Sequence, residues 1–207
     1  MTYLGHLAEL RKRLMRAVLA LIAASGLAFA WAENLGEFLL APAKGMDFIY
    51  LSPPDLFMTY VKLALFIGLA ASMPVILYQL WMFIAPALSR REKTSIFFSL
   101  LAGAVLFAAG AAFAYYVIIP FTLKFFVGYQ SERIAPMLAI TEYFRFVANL
   151  ALSFGAAFEL PILAALLGTF GLLKADFLVR GRRIAIIVIL IVAAIITPPD
   201  VVSQVLL

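Results

Sequence analysis

Long apolar runs, broken by short segments rich in proline and charge, make up the chain, and their lengths predict helices that cross a membrane. The runs fall at residues 14–32, 56–83, 96–126, 143–173 and 184–196. About 20 apolar residues in a helix cross the roughly 30 Å of a bilayer core. The second, third and fourth runs exceed that length, so tilting or protrusion is expected. The fifth, Ile184 to Ile196, has only 13 residues. At about 20 Å of helix it is too short to span comfortably and needs a thin place in the protein or the bilayer. Pro74 and Pro120 lie inside or near the ends of their runs and should kink them.

Between the runs the pattern turns polar. Residues 33–55, with Pro42, Pro53 and Pro54, and residues 127–142 read as loops on one side, the first with a short interfacial helix. Residues 84–95 and 174–183 read as loops on the other. The sharpest transition is Met73 to Lys93, MPVILYQLWMFIAPALSRREK. Tyr78, Trp81 and Phe83 are amphipathic rings suited to a headgroup boundary, and Arg90, Arg91 and Lys93 mark the side that faces the cytoplasm. Glu92 is the odd acid among them. It either neutralises its neighbours or receives a cationic ligand.

The first run raises a choice. A basic start, an apolar stretch and the Ala28 to Ala32 ending also describe a cleavable leader. Glu9 is unusual in such a leader, and a run of about 19 residues is long enough to span, so a retained helix is expected.

Composition supports the membrane reading. Of 207 residues 66% are hydrophobic and 13% charged, whereas soluble domains are near 45–50% apolar and about 25% charged. The mean hydropathy is +1.08. The chain is expected to be one transmembrane domain, residues 1–207, without a large soluble module. A net charge of +5 could suggest nucleic acid, but in a membrane protein the placement of positive charge carries the information. With the amino terminus inside, the inner segments hold Arg11, Lys12, Arg13, Arg16, Arg90, Arg91, Lys93, Lys174, Arg180, Arg182 and Arg183. The outer side holds Lys44, Lys62, Lys124, Arg133 and Arg145, an asymmetry that agrees with the positive-inside rule. Lys62 can reach water by snorkelling.

Enzyme chemistry is excluded on inventory. There is no cysteine and a single histidine, His6, and neither a G-x-S-x-G nor an H-E-x-x-H motif is present. No cofactor or metal is implied. The carboxylates are more informative. Glu159 falls near the middle of the fourth run, in SFGAAFELPIL, where an acid costs about 2.5–3.5 kcal/mol on insertion scales. It must face a polar cavity, find a partner across helices, or be protonated. Pro161 follows and leaves the carbonyl of Ala157 without its usual partner. Glu9 precedes the first span and could simply pair with Arg13 at i,i+4, a contact worth about 0.2–0.5 kcal/mol. Glu92 has the same option with Arg91 or Lys93. Two carboxylates on one membrane face could instead accept two guanidinium groups bidentately, which lysine cannot reproduce.

Taken in order, HLAELRKRL, PVILYQLWMFIAPAL with Glu92 in the charged cluster that follows, FAYYVIIPFTLKF, SFGAAFELP and TPPDVVSQVLL resemble the successive motifs of the TatC family, the multispanning component of the twin-arginine protein translocase. The resemblance covers nearly the whole chain. It implies an all-α polytopic fold, a concave, glove-like bundle of kinked helices. The family has six, and with the chain stopping at Leu207 the last is expected to be truncated or absent. It implies a receptor in the cytoplasmic (inner) membrane, amino terminus cytoplasmic, that binds Arg-Arg signal peptides of folded precursors. Such a receptor would assemble as a homo-oligomer with single-span TatA and TatB type subunits for export driven by the proton-motive force, with no nucleic-acid partner.

By position, Glu9, Glu92 and Arg11 resemble the signal-peptide site. Glu159 resembles the family's buried acid facing a pocket open to the bilayer, and Thr197, Asp200 and Gln204 resemble polar positions where partners dock. Pro42, Pro74, Pro86 and Pro120 resemble residues that shape loops and helices. A rival from another class is a secondary or proton-coupled carrier using Glu159, since carriers use intramembrane acids and broken helices. The chain shows no internal repeat and few midplane polar residues to line a solute site.

Overall fold

The computed structural model describes residues 3–84, 90–128, 137–169 and 181–196. Helices dominate, as backbone in lipid requires, because a helix satisfies its own N–H and C=O groups. In chain order they are α1 (Tyr3–Ala30), α2 (Ala32–Leu40), α3 (Pro53–Ile84), α4 (Arg90–Phe113), α5 (Ile119–Val127), α6 (Ile140–Thr169) and α7 (Arg182–Ile196). Four stretches among the described residues are long and apolar enough to cross a membrane: Gly5–Ala30, Pro53–Phe83, Phe98–Val127 and Ile140–Gly168. Their exposed Leu, Ile, Val and Phe side chains need no protein partner when the solvent is lipid.

The long helices form two antiparallel pairs, α1 with α3 and α4 with α6. In the first, His6 stacks on Phe83 at 4.3 Å and Phe29 meets Phe57 edge-on at 6.2 Å. Gly68 lets the two backbones close in, since a β-carbon there would stand 2.6 Å from the Cα of Ser25. In the second pair a β-carbon at Gly110 would collide with the carbonyl of Phe154, and one at Gly155 would stand 2.7 Å from the Phe107 ring. Small residues at such crossings let membrane helices gain van der Waals contact in place of a hydrophobic drive. The pairs are joined by α3 running parallel to α6.

Two ends follow from this arrangement. The loop end carries the connections. There Pro42 sits in a single 3-10 turn, Ala41–Ala43, and Gly45, at φ +88°, turns the chain where a side chain would be strained. Two short strands, β1 (Phe48–Ile49) and β2 (Leu138–Ala139), pair in parallel with Phe48 opposite Leu138, an addition to the all-helical expectation. Tyr115 and Tyr143 donate hydrogen bonds to the carbonyls of Phe38 and Leu39, the latter at 2.7 Å. Both carbonyls lie in the last turn of α2, where a helix runs out of internal donors; that of Phe38 also accepts from the Ala41 N–H. The main core, with Leu63, Ile118, Ile119, Val147 and Leu150 nearly inaccessible, lies toward this end. The opposite end, where α1 begins and α3 stops, holds a smaller cluster of Trp81 and Leu166 packed with Leu77, Leu100 and Ile162. It is called the basic end below.

Prolines act locally rather than ending the helices. Ahead of Pro120, residues Ala114–Ile118 widen into a π turn in which the Ile119 N–H donates to the Ala114 carbonyl. Widening by one residue accommodates a ring that would otherwise clash one turn back. Pro74 and Pro161 stay inside α3 and α6, and beside Pro74 the Ser72 hydroxyl donates to the Leu69 carbonyl at 3.1 Å.

Candidate functional site at the basic end and the buried acid above it

Every fourth residue of α1 from Glu9 through Arg13 to Ala17 is half-buried while its neighbours are exposed, and Ala20 and Leu21 continue the stripe, the spacing of a helix that packs one face. Glu9 therefore lies on the α3-facing stripe. Its Oε1 accepts a hydrogen bond from Arg13 Nη2 at 3.0 Å, with both side chains about four-fifths covered. Arg13 also extends Nη1 toward Oε1 of Gln79 at 3.4 Å, the long end of hydrogen bonding. Gln79 is 9% exposed. The result is a chain of polar groups, Glu9 to Arg13 to Gln79, laid across the α1–α3 seam beside the His6–Phe83 stack.

Arg11 points elsewhere. Two positions on from Glu9 it is turned about 200° around the helix, and with Ala8, Lys12, Met15 and Arg16 it lines a shallow depression on the outer surface of α1. The acid and the base grouped by sequence thus occupy different faces. Glu92 lies in the first turn of α4, and its side chain is outside the described residues. Leu100, two turns further along α4, packs with Trp81 at the basic end, so α4 runs toward that same end as it approaches Glu92. Pro86, Thr197, Asp200 and Gln204 also fall outside the described residues.

Glu159 is 6% exposed, and its Oε1 has no hydrogen-bond partner among the described residues. Its carboxylate lies against α4 at Gly103, where a β-carbon would stand 2.9 Å from Oε2 and 3.2 Å from Oε1. The missing side chain of Gly103 makes the space the carboxylate occupies. Glu159 stands about 28 Å along α6 from its Ile140 end. Leu166, seven residues on, belongs to the Trp81 cluster, which puts Glu159 about two turns further from the basic end than that cluster.

Sequence reasoning missed Gln79 and the Arg13 bridge. Gln79 was detectable as the one amide in the apolar stretch VILYQLW. That Arg13 would turn to it required knowing that α1 and α3 are neighbours. The role of Gly103 beneath Glu159 appears only with the α4–α6 register.

Over residues 5–207 the chain matches the family described as Sec-independent protein translocase protein (TatC). The protein of that name from Desulforapulum autotrophicum is 35% identical over 207 residues, covering 98% of this chain and 77% of its own length. That from Helicobacter pylori strain J99 is 44% identical across 97% of this chain and 80% of its own. A crystal structure titled twin arginine translocase receptor TatC in DDM matches with a TM-score of 0.87 at 38% identity, over 97% of this chain and 92% of that one.

Proposed function

The chain belongs to the TatC family of Sec-independent protein translocases, and from that premise we propose that it is the receptor that binds twin-arginine signal peptides at its basic end. That end faces the cytoplasm in this reading, because the lysines and arginines of the flanking segments concentrate there. Glu9 and Glu92 receive the two guanidinium groups. Arg11, on the other face of α1, attracts anionic headgroups rather than touching the peptide. Single-span TatA and TatB type subunits dock near Thr197, Asp200 and Gln204, and several copies assemble into one receptor complex that uses the proton-motive force.

The observation that carries this reading is the pinned carboxylate of Glu9. Arg13 holds one oxygen at 3.0 Å and is itself directed toward Gln79 on α3, so the acid is fixed at a helix seam instead of sweeping through solvent. A preorganised carboxylate loses little entropy when it pairs with an incoming guanidinium. The apolar part of the peptide would continue along the helices toward Glu159.

The test is photocrosslinking of an Arg-Arg peptide and its Lys-Lys version to the full chain in membranes. Glu9→Ala and Glu92→Ala are expected to weaken Arg-Arg binding far more than Lys-Lys binding, since only arginine pairs bidentately. Equal losses for both peptides would refute the assignment. A carrier using Glu159 predicts solute uptake by vesicles holding this chain alone; in the receptor reading such vesicles move nothing.

A further inference from the structure

At the loop end, between the starts of α3 and α6, lies a cavity of about 160 Å³ lined by Thr59, Lys62, Leu63, Phe66, Thr141, Phe144 and Arg145. We propose that this cavity binds the phosphodiester headgroup of an anionic phospholipid from the adjacent leaflet, with Lys62 and Arg145 as the charge partners.

Charge is the first argument. Lys62 and Arg145 reach the same small cavity from different helices, and two like charges sharing a site favour an anion between them. Glu142 offsets only part of this. It pairs with Arg145 at 3.1 Å on an exposed surface, where such a pair is weak and easily exchanged.

Proton accounting is the second. The Thr59 hydroxyl donates to the Asp55 carbonyl at 2.6 Å, so in the 2.6 Å contact between Thr59 and Thr141 the Thr141 hydroxyl is the donor. Both threonine protons are thereby used within the protein. What the pair offers the cavity is lone pairs, suited to the hydroxyls of a glycerol headgroup, while the two cations supply the donors for a phosphate.

The gradient of polarity favours a lipid over a free anion. Phe66 lies one turn beyond Lys62 along α3, away from the loop end, so the wall turns aromatic in the direction a lipid's acyl chains would run. At about 160 Å³ the cavity is smaller than the roughly 300–1,000 Å³ of small-molecule sites, so it admits a headgroup or a small anion rather than a larger solute. Basic pockets between membrane helices bind anionic headgroups elsewhere by the same electrostatics. The proposal does not depend on the signal-peptide reading, since the site lies at the opposite end of the helices.

Native mass spectrometry of the delipidated full chain, titrated with phosphatidylglycerol, phosphatidylcholine or inorganic phosphate, tests it. Phosphatidylglycerol is expected to bind more tightly than phosphatidylcholine. Lys62→Gln and Arg145→Gln should each weaken it about five-fold, as expected for one surface cation, while Lys124→Gln, at the same end on α5, should leave it unchanged. Unaltered binding in Arg145→Gln, a change at an exposed side chain that should not disturb folding, overturns the proposal, as does an equal loss in Lys124→Gln. Displacement of the lipid by inorganic phosphate also overturns it and makes the cavity a soluble-anion site.

Discussion

The carboxylate of Glu159 occupies the space that a side chain at residue 103 would fill: a β-carbon on Gly103 would lie 2.9 Å from Glu159 Oε2. A charged or neutral acid is thereby packed against bare backbone of another helix, in a protein whose surroundings are lipid. Buried polar groups without partners cost about 1–3 kcal/mol, and sites that keep them are the places where function overrides stability.

Glu159 is therefore expected to separate stability from transport. Glu159→Leu removes an oxygen that has no partner among the described residues and should hold or raise the unfolding midpoint in mixed micelles, while lowering translocation. Glu159→Gln should keep more transport than Leu. A Leu variant that translocates like the parent would sink the idea of a working polar site, and one that unfolds readily would show that the acid has a structural partner.

Gly103 and Gly110 make a matched pair. At Gly110 an added methyl meets the Phe154 carbonyl, which cannot move without α6, so Gly110→Ala should cost about 1–3 kcal/mol, the range for overpacking. At Gly103 it meets the tip of a side chain able to swing away. Gly103→Ala should cost less and act chiefly on transport. Unfolding titrations that rank them the other way would contradict the α4–α6 register.

Glu9 is expected to matter little for folding. Its pair with Arg13 is an i,i+4 contact, worth about 0.2–0.5 kcal/mol, so Glu9→Gln should barely shift the unfolding midpoint. Binding of an Arg-Arg peptide should fall about ten-fold or more, the range for losing a charge-assisted hydrogen bond of about 1.5–3 kcal/mol. A loss of stability as large as the loss of binding would make the residue structural.

Tyr143 should behave in the opposite way. It is 4% exposed and its hydroxyl donates to the Leu39 carbonyl at 2.7 Å. Tyr143→Phe strands that carbonyl at the end of α2 and should cost about 1–3 kcal/mol, seen as a lower midpoint and faster proteolysis around α2. Peptide binding at the far end should be unchanged in the folded fraction.

Several features needed no structure. Apolar content and run length specify a helical membrane protein because lipid allows few other spanning solutions, and the order of motifs pointed to the family that the comparisons then showed. The acids Glu9, Glu92 and Glu159 stood out because charge is rare in this chain. The π turn before Pro120 was less legible: a proline announces a disturbance but not how the backbone absorbs it.

What the sequence determined by itself is the solvent this chain folds in, since free energies of transfer are summed over residues whatever their neighbours. What only the tertiary structure decided is which residues meet. That Arg13 bridges Glu9 and Gln79, that Arg11 turns away, that Gly103 gives its place to Glu159, and that Lys62 and Arg145 share one cavity all depend on helix register. Register is set by close packing of small residues and rings between segments tens of residues apart, and no local pattern contains it.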